Sequence, residues 1–209
     1  MIKVAIVDDH RMVLDGLKQI LSHEPDIEVV GAACNADEGI RCILKHDIDI
    51  AVLDISLPDK SGLDILDIVK TQKPKLRVLI LSAFPEEQYA VRALKSGASG
   101  YLTKNSAPQE LVDAIRRINS GGKYITASLA EKLSDILMSD EKMPHERLSN
   151  REFEIMRMIA AGKTTGEIAE ILFISPSTVG TYRTRIMEKM AMKTNADLTR
   201  YVVENRLNG

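Results

Sequence analysis

Through residue 120 the chain alternates short apolar runs with amphipathic stretches. Lys3-Val4-Ala5-Ile6-Val7 has strand length and stops on Asp8-Asp9-His10; Val13, Leu14, Leu17, Ile20 and Leu21 then recur at helical spacing. Glu28 to Ala33 predicts a second strand, and Ala36 to His46 a second helix with Ile40, Ile43 and Leu44 inward. Ile50-Ala51-Val52-Leu53 is a buried-type run ending on Asp54, before a loop carrying Pro58 and Gly62. Leu63, Leu66 and Val69 share one face of the next helix. Val78 to Leu81 is a fourth strand that stops on Ser82. Pro85 fits the first turn of a helix running to Lys95, which Gly97 ends. Gly100 to Thr103 is a short fifth strand finishing on Lys104, and Leu111 to Ile118 closes the alternation.

Parallel strands need crossover connections, so five strand and helix pairs predict an α/β unit with helices on both sheet faces. The expected strand order is the flavodoxin-like 2-1-3-4-5. Strands one, three, four and five then bring Asp8, Asp9, Asp54, Ser82 and Lys104 to one edge. Taken singly these have ordinary readings: Asp8 and Asp9 as a helix cap, Ser82 as a turn former, Lys104 as a surface charge. Together they form a constellation. Three converging carboxylates repel one another, and a hard divalent cation with oxygen ligands relieves that repulsion, magnesium better than zinc. Lys104 adds a cation suited to an incoming phosphoryl group, and the Ser82 hydroxyl can donate to a phosphoryl oxygen. The implied chemistry is phosphoryl transfer onto a carboxylate.

Gly121-Gly122 marks a break, after which Leu129, Leu133, Ile136 and Leu137 suggest one more amphipathic helix. Ser139 to His145 reads as a polar, Pro-interrupted linker in which His145 is solvated. The expected organisation is a first domain over 1–120, a linker with one helix over 121–146, and an all-α domain over 147–209. Ser149 followed at the third position by Glu152 opens the last part as a capping box, ahead of Phe153, Ile155, Met156 and Ile159. Gly162 ends that helix. Thr165 to Leu172 is short, with Ile168, Ala169 and Leu172 buried; Ser175 caps the next helix, which has Pro176 at its first position and runs to about Met190. Ala196 to Asn205 is a fourth helix. Two short helices joined by a tight turn fit a helix-turn-helix, and a generic helical bundle fits the same periodicity.

Composition narrows the classes. Apolar residues make up 44% and charged ones 28%, which excludes a wholly disordered chain. No apolar run reaches bilayer length, and the opening Met-Ile-Lys-Val passes directly into a strand, so no membrane association and a cytoplasmic location are expected. Cys34 and Cys42 lack metal-ligand spacing and read as reduced thiols. Net charge is -2, but from Arg147 onward 10 Lys/Arg stand against 7 Asp/Glu, leaving 18 against 23 before it. A mildly basic tail permits nucleic-acid binding without proving it.

VAIVDDH, VLDISLPDKSGLD, VLILSAF and GYLTK, in this order and spacing, resemble the receiver domain of two-component response regulators. The resemblance implies Asp54 as phosphoacceptor for a sensor histidine kinase. It implies Mg²⁺ held by Asp8, Asp9, Asp54 and the backbone carbonyl of Ser56, with Ser82 and Tyr101 as a switch pair beside Lys104. Thr103-Lys104-Asn105 lacks the Pro that often follows this lysine, which points to a subfamily. LSNREFEIMRMIAAGKTTGEIAEILFISPSTVGTYRTRIMEKM resembles the four-helix, LuxR-type DNA-binding domain of NarL/FixJ regulators. With Val179 inward on the predicted recognition helix, Ile186 and Met190 share its face while Ser177, Thr181, Thr184 and Glu188 point away, Arg185 and Lys189 flank the outer face, and Tyr182 lies at the boundary. Ser177, Thr178, Gly180, Thr181, Thr184, Arg185 and Lys189 are therefore expected to face double-stranded DNA, Lys189 nearer the backbone. Gly180 stands where many members carry a basic residue. Leu198, Tyr201, Val202 and Asn205 are the expected contacts of a homodimer formed on phosphorylation. The rival reading couples the receiver to an RNA-binding or protein-docking bundle. A flavodoxin-like enzyme would need a Gly-rich phosphate loop or nucleophile elbow, and neither motif occurs.

Overall fold

The computed structural model describes residues 1–58, 60–127, 129–131, 133 and 143–207. They form two compact units, residues 1–130 and 131–209. The first alternates β1 (Ile2–Val7), α1 (Arg11–Ser22), β2 (Ile27–Ala33), α2 (Ala36–Lys45), β3 (Ile50–Leu53), α3 (Gly62–Gln72), β4 (Arg77–Ser82), α4 (Glu86–Lys95), β5 (Gly100–Thr103) and α5 (Pro108–Asn119). The strands are all parallel and ordered β2-β1-β3-β4-β5, as the alternation predicts.

Strand alternation sends each buried strand's side chains to two helical layers. Val4, Ile6, Ile50, Val52, Leu79 and Leu81 form one core with Leu14, Leu17 and Leu21 of α1 and Leu111, Val112, Ile115 and Ile118 of α5. On the other face α2 approaches so closely that a Cβ at Gly39 would lie 2.7 Å from a Val7 methyl. Register does the rest. Val7, the last residue of β1, pairs with Leu53, the last of β3; Leu53 pairs with Ile80 and Ile80 with Tyr101, so β4 and β5 run two residues further, to Ser82 and Thr103.

Three local readings are corrected. Asp8 and Asp9 do not cap α1, whose N-cap is His10 without a side-chain bond. Pro85 precedes α4 as its N-cap instead of lying in the first turn. Leu129 is buried in the continuation of the first unit, whereas Ile136, Leu137 and residues 139–142 of the expected linker lie outside the described residues.

The second unit follows a 3₁₀ turn at Pro144–Arg147 with α6 (Asn150–Ala160), α7 (Thr165–Ile171), α8 (Pro176–Met190) and α9 (Asn195–Glu204). Short helices leave a large share of their backbone groups unpaired at the ends, so caps matter here. Capping boxes open α6 with Ser149 and Glu152, α7 with Thr164 and Glu167, and α9 with Thr194 and Asp197. Ser175 caps α8 by accepting the Thr178 N–H. Phe153, Met156, Ile168, Val179, Ile186 and Val202 are among the side chains that fill the core. His145 is not the solvated linker residue expected: it is half-buried, with Nδ1 2.8 Å from the Tyr201 hydroxyl and its ring 5.9 Å from that of Phe153. No helix among the described residues is long and apolar enough to cross a membrane.

Ala191 ends α8 in the left-handed region at φ 53°, where its N–H is bonded to the Met187 and Glu188 carbonyls. A Cβ is disfavoured in that conformation. Ala191→Gly is expected to stabilise the second unit by about 1 kcal/mol, the relief of the left-handed strain exceeding the added freedom of the unfolded chain. Urea unfolding of the two proteins checks this, and a loss of stability would show that Ala191 carries no net strain.

Candidate functional site

At the carboxyl end of the sheet, the Asp54 N–H donates to the Val7 carbonyl at 2.8 Å, holding the first residue past β3 beside the end of β1. Lys104, the first residue past β5, is held in the same way by the Ser82 carbonyl at 2.8 Å. These backbone bonds aim the side chains at one another. The Lys104 ammonium lies 2.7 Å from Asp54 Oδ2 and 2.6 Å from Asp8 Oδ2, and both carboxylates are almost fully buried. Burial pushes the Asp54 carboxyl up from its ordinary value; Lys104 opposes this, the Asp8 charge adds to it, and the net shift is upward. Burial pulls the Lys104 ammonium down, but its close approach to the Asp54 and Asp8 carboxylates and their charges outweigh this, so it holds its proton more tightly than an ordinary lysine.

Asp9 is partly exposed, and His10 Nδ1 lies 2.7 Å from its Oδ1 and 3.4 Å from Asp8 Oδ1. One ligand atom each from Asp8, Asp9, His10 and Asp54 falls within 4.8 Å of the others. Sequence reasoning did not place His10 in this group, although its position next to Asp9 was the available signal. Asp8 Oδ2, Asp9 Oδ1 and Asp54 Oδ1 are buried without a hydrogen-bond partner; the first two meet Lys104 and His10 as ion-pair neighbours only. Three underused carboxylate oxygens at such separations fit a hard divalent cation. Ser56 follows at the half-buried start of the loop, where its backbone favours the charged form of the Asp54 carboxylate.

Gly62 opens α3 directly against this loop. A Cβ there would collide with the Asp54 carbonyl oxygen, so only glycine lets the helix close over the loop. Ser82 and Tyr101, expected as a switch pair, meet through Phe84: Ser82 Oγ accepts the Phe84 N–H at 3.1 Å, and the Tyr101 hydroxyl donates to the Phe84 carbonyl at 2.9 Å. Tyr101 is packed inward and Ser82 is fully buried.

In the second unit, α8 has Val179, Ile186, Met187 and Met190 buried and Ser177, Thr181, Thr184, Arg185 and Glu188 exposed. Ser177, Thr178, Thr181, Tyr182 and Arg185 line a shallow groove of about 260 Å³ on the outer face. A Cβ at Gly180 would meet nothing within 4 Å, so packing does not demand glycine there. Lys189 is engaged within the domain, 2.6 Å from Glu152 Oε2, which also accepts the Ser149 N–H at 2.7 Å. Glu152 is buried. Burial raises its carboxyl, but Lys189 and the Ser149 N–H together bring it below the ordinary value.

The expectation for α9 needs correction. Leu198 and Val202 are at 0% exposure, packed toward α6, and cannot also meet a second copy. Tyr201 bonds His145, and Asn205 Nδ2 donates to the Tyr201 carbonyl at 2.8 Å. The outward stripe of this helix is Ala196, Arg200 and Val203, the last 54% exposed. The apolar positions of an amphipathic helix read the same whether they face their own core or a partner.

Because burial raises the Asp54 carboxyl, its ionised form opposes folding. Below the unfolded-state value the group is protonated in both states and contributes nothing; as pH rises through the raised folded-state value, the folded state binds more protons than the unfolded one and stability falls. Asp54→Asn should therefore raise the melting temperature at pH 7, with a gain that shrinks toward zero near pH 4. A gain independent of pH would assign it to packing instead of charge.

Residues 4–116 match the response regulator receiver domain, and residues 146–202 match the bacterial regulatory proteins of the luxR family. The oxygen regulatory protein NreC of Staphylococcus epidermidis is 36% identical over 98% of both chains. The response regulator UvrY of Escherichia coli K12 is 34% identical over 99% of this chain and 96% of its own. Among solved structures, RcsB of Salmonella enterica serovar Typhimurium, bound to the promoter rprA with a phosphomimetic, superimposes with a TM-score of 0.66 at 25% identity over 97% of this chain and 98% of that one. With a buried acidic site at the sheet edge of one unit and an exposed helix-turn-helix face on the other, the chain belongs to the NarL/FixJ family of DNA-binding transcriptional response regulators.

Proposed function

We propose that the protein takes a phosphoryl group from a sensor histidine kinase onto Asp54 and thereby controls its own dimerisation on double-stranded DNA. The observation that carries this is the buried set of Asp8, Asp54 and Lys104, in which one oxygen of Asp54 is bound to Lys104 and the other has no hydrogen-bond partner. That free oxygen is the natural nucleophile. It forms the O–P bond as the P–N bond of the kinase phosphohistidine breaks, and the departing imidazole keeps the electron pair. Asp8, Asp9, Asp54 and the Ser56 carbonyl would hold Mg²⁺, which neutralises charge on the transferring group. Lys104 remains beside the product, where a phosphoryl group adds about -1.5 to -2 charges. Ser82 can rotate its hydroxyl hydrogen toward a phosphoryl oxygen while still accepting from Phe84.

The DNA-facing surface of this reading is Ser177, Thr178, Gly180, Thr181, Thr184 and Arg185, with Lys189 near the backbone and shared with Glu152. One such helix reads only a few base pairs, so useful specificity requires two copies. The outward stripe of α9 around Val203 offers the contact within this domain, and RcsB dimers on DNA give a precedent in a structural relative. The proposed location is the cytoplasm, where a kinase and the chromosome are both accessible.

Incubation with a small phosphodonor and Mg²⁺ should label the intact protein and leave Asp54→Ala unlabelled; label on Asp54→Ala would remove the assignment. On a duplex taken from sites mapped as occupied in cells, Arg185→Ala should weaken binding about tenfold and reduce the slope of log K against log salt by about 1, the signature of one lost phosphate contact. An unchanged slope and affinity would place the DNA-reading face elsewhere.

A further inference from the structure

The segment after α5 does not leave the first unit at once. Tyr124 pairs with Gly100 in a parallel bridge on the outer edge of β5: its carbonyl accepts the Tyr101 N–H at 3.2 Å, and its own N–H donates to the Ser99 carbonyl at 3.0 Å. A sixth strand is thus begun and abandoned. The fit depends on Gly100, since a Cβ there would lie 2.8 Å from the Tyr124 carbonyl oxygen and 3.0 Å from the Tyr124 Cβ. Two residues on, the exposed Thr126 hydroxyl lies 2.7 and 2.9 Å from the two carboxylate oxygens of Glu86, the first residue of α4. The same oxygen accepts the Leu129 N–H at 3.2 Å, and the Thr126 carbonyl accepts the Ala130 N–H, so Thr126 caps the helical residues that follow. Leu129 is buried.

Both anchor points belong to the switch. Tyr101, whose amide Tyr124 holds, donates its hydroxyl to Phe84; Phe84 donates its N–H to Ser82; and Glu86, which Thr126 holds, follows that loop directly. Hydrogen bonds joined by two short backbone stretches, Phe84 to Glu86 and Tyr124 to Thr126, therefore run from Ser82 at the end of β4 to the cap of the helical residues that follow Thr126. We propose that Tyr124 and Thr126 are positioning residues for the phosphoryl site: docked on β5 and α4, they favour the inward arrangement of Tyr101 and the Ser82 loop, and through them the phosphoryl state and the linker bias one another. This rests on the reading of Asp54 as phosphoacceptor. Such coupling is reciprocal, so a change in the linker must be felt at Asp54.

The test uses the full chain, acetyl phosphate and Mg²⁺, and reads the half-life of the labelled protein after removal of the donor. Thr126→Val keeps the side-chain shape and removes the hydroxyl; Gly100→Ala pushes Tyr124 off the strand from the other side. Both should shorten the half-life, by about two- to tenfold for the loss of one such bond, with Thr126→Ser within about twofold of the parent. Melting temperatures identify any variant that fails to fold, and exposed Thr126 gives the variant least exposed to that problem. An unchanged or lengthened half-life in folded Thr126→Val, or a Thr126→Ser that behaves like Val, overturns the proposal. Failure of the parent itself to take label at Asp54 would instead overturn the phosphoacceptor reading on which it stands.

Discussion

One ammonium group between two buried carboxylates is the constraint on which the receiver half depends. Asp8 and Asp54 would repel one another strongly at the end of two adjacent strands, and neither has water enough to screen it. Lys104 meets both within 2.7 Å. Its position follows from parallel register: β1 and β3 stop at one level, β4 and β5 run two residues further, and the Ser82 carbonyl fixes the backbone of Lys104 at the start of the loop beyond β5. The balance is incomplete by one charge even before Asp9 is counted. That residual negative charge, with three carboxylate oxygens lacking hydrogen-bond partners, distinguishes the edge from a closed ion-pair network and is what the proposed binding of a divalent cation and a phosphoryl group draws on.

The second unit solves a different problem with different means. Its helices are too short to be stable alone, and three capping boxes plus a serine cap satisfy their N-termini. Glu152 serves twice, closing the cap of α6 and receiving Lys189 from the last turn of α8. Through this pair the helix that presents Thr181, Thr184 and Arg185 is tied to the start of the domain. Arg151 adds a second tie, donating to the Leu172 carbonyl at the end of α7 at 2.9 Å. The proposed recognition surface is therefore polar and exposed while its reverse side is locked by charge and by Val179, Ile186 and Met190.

The alternation of strands and helices, the strand order, the residues ending each strand, the break at Gly162 and the bounds of α8 were all legible in the sequence. They depend on local periodicity, on turn chemistry and on the rule that parallel strands need crossovers, and these act over a few residues or on topology as a whole. Asp54 and Lys104 could be brought together on that basis although 50 positions separate them. Two of the three capping boxes were equally local, as Thr164 with Glu167 and Thr194 with Asp197, and could have been read in the same way.

What the tertiary structure decided was which surface each ambiguous side chain meets. Leu198 and Val202 look alike as core or as dimer contacts, and only packing toward α6 assigns them to the core. His145 carries no pattern in a polar linker, and Tyr201, 56 positions away, makes it an anchor. Lys189 reads as a basic residue beside a DNA-facing stripe, and a buried carboxylate 37 positions earlier claims it. Tyr124 falls in the linker expected after Gly121-Gly122, yet the edge of β5 and the missing side chain at Gly100 let it pair. In each case the deciding partner is distant in sequence, and one-dimensional periodicity holds no information about the shape it must fit.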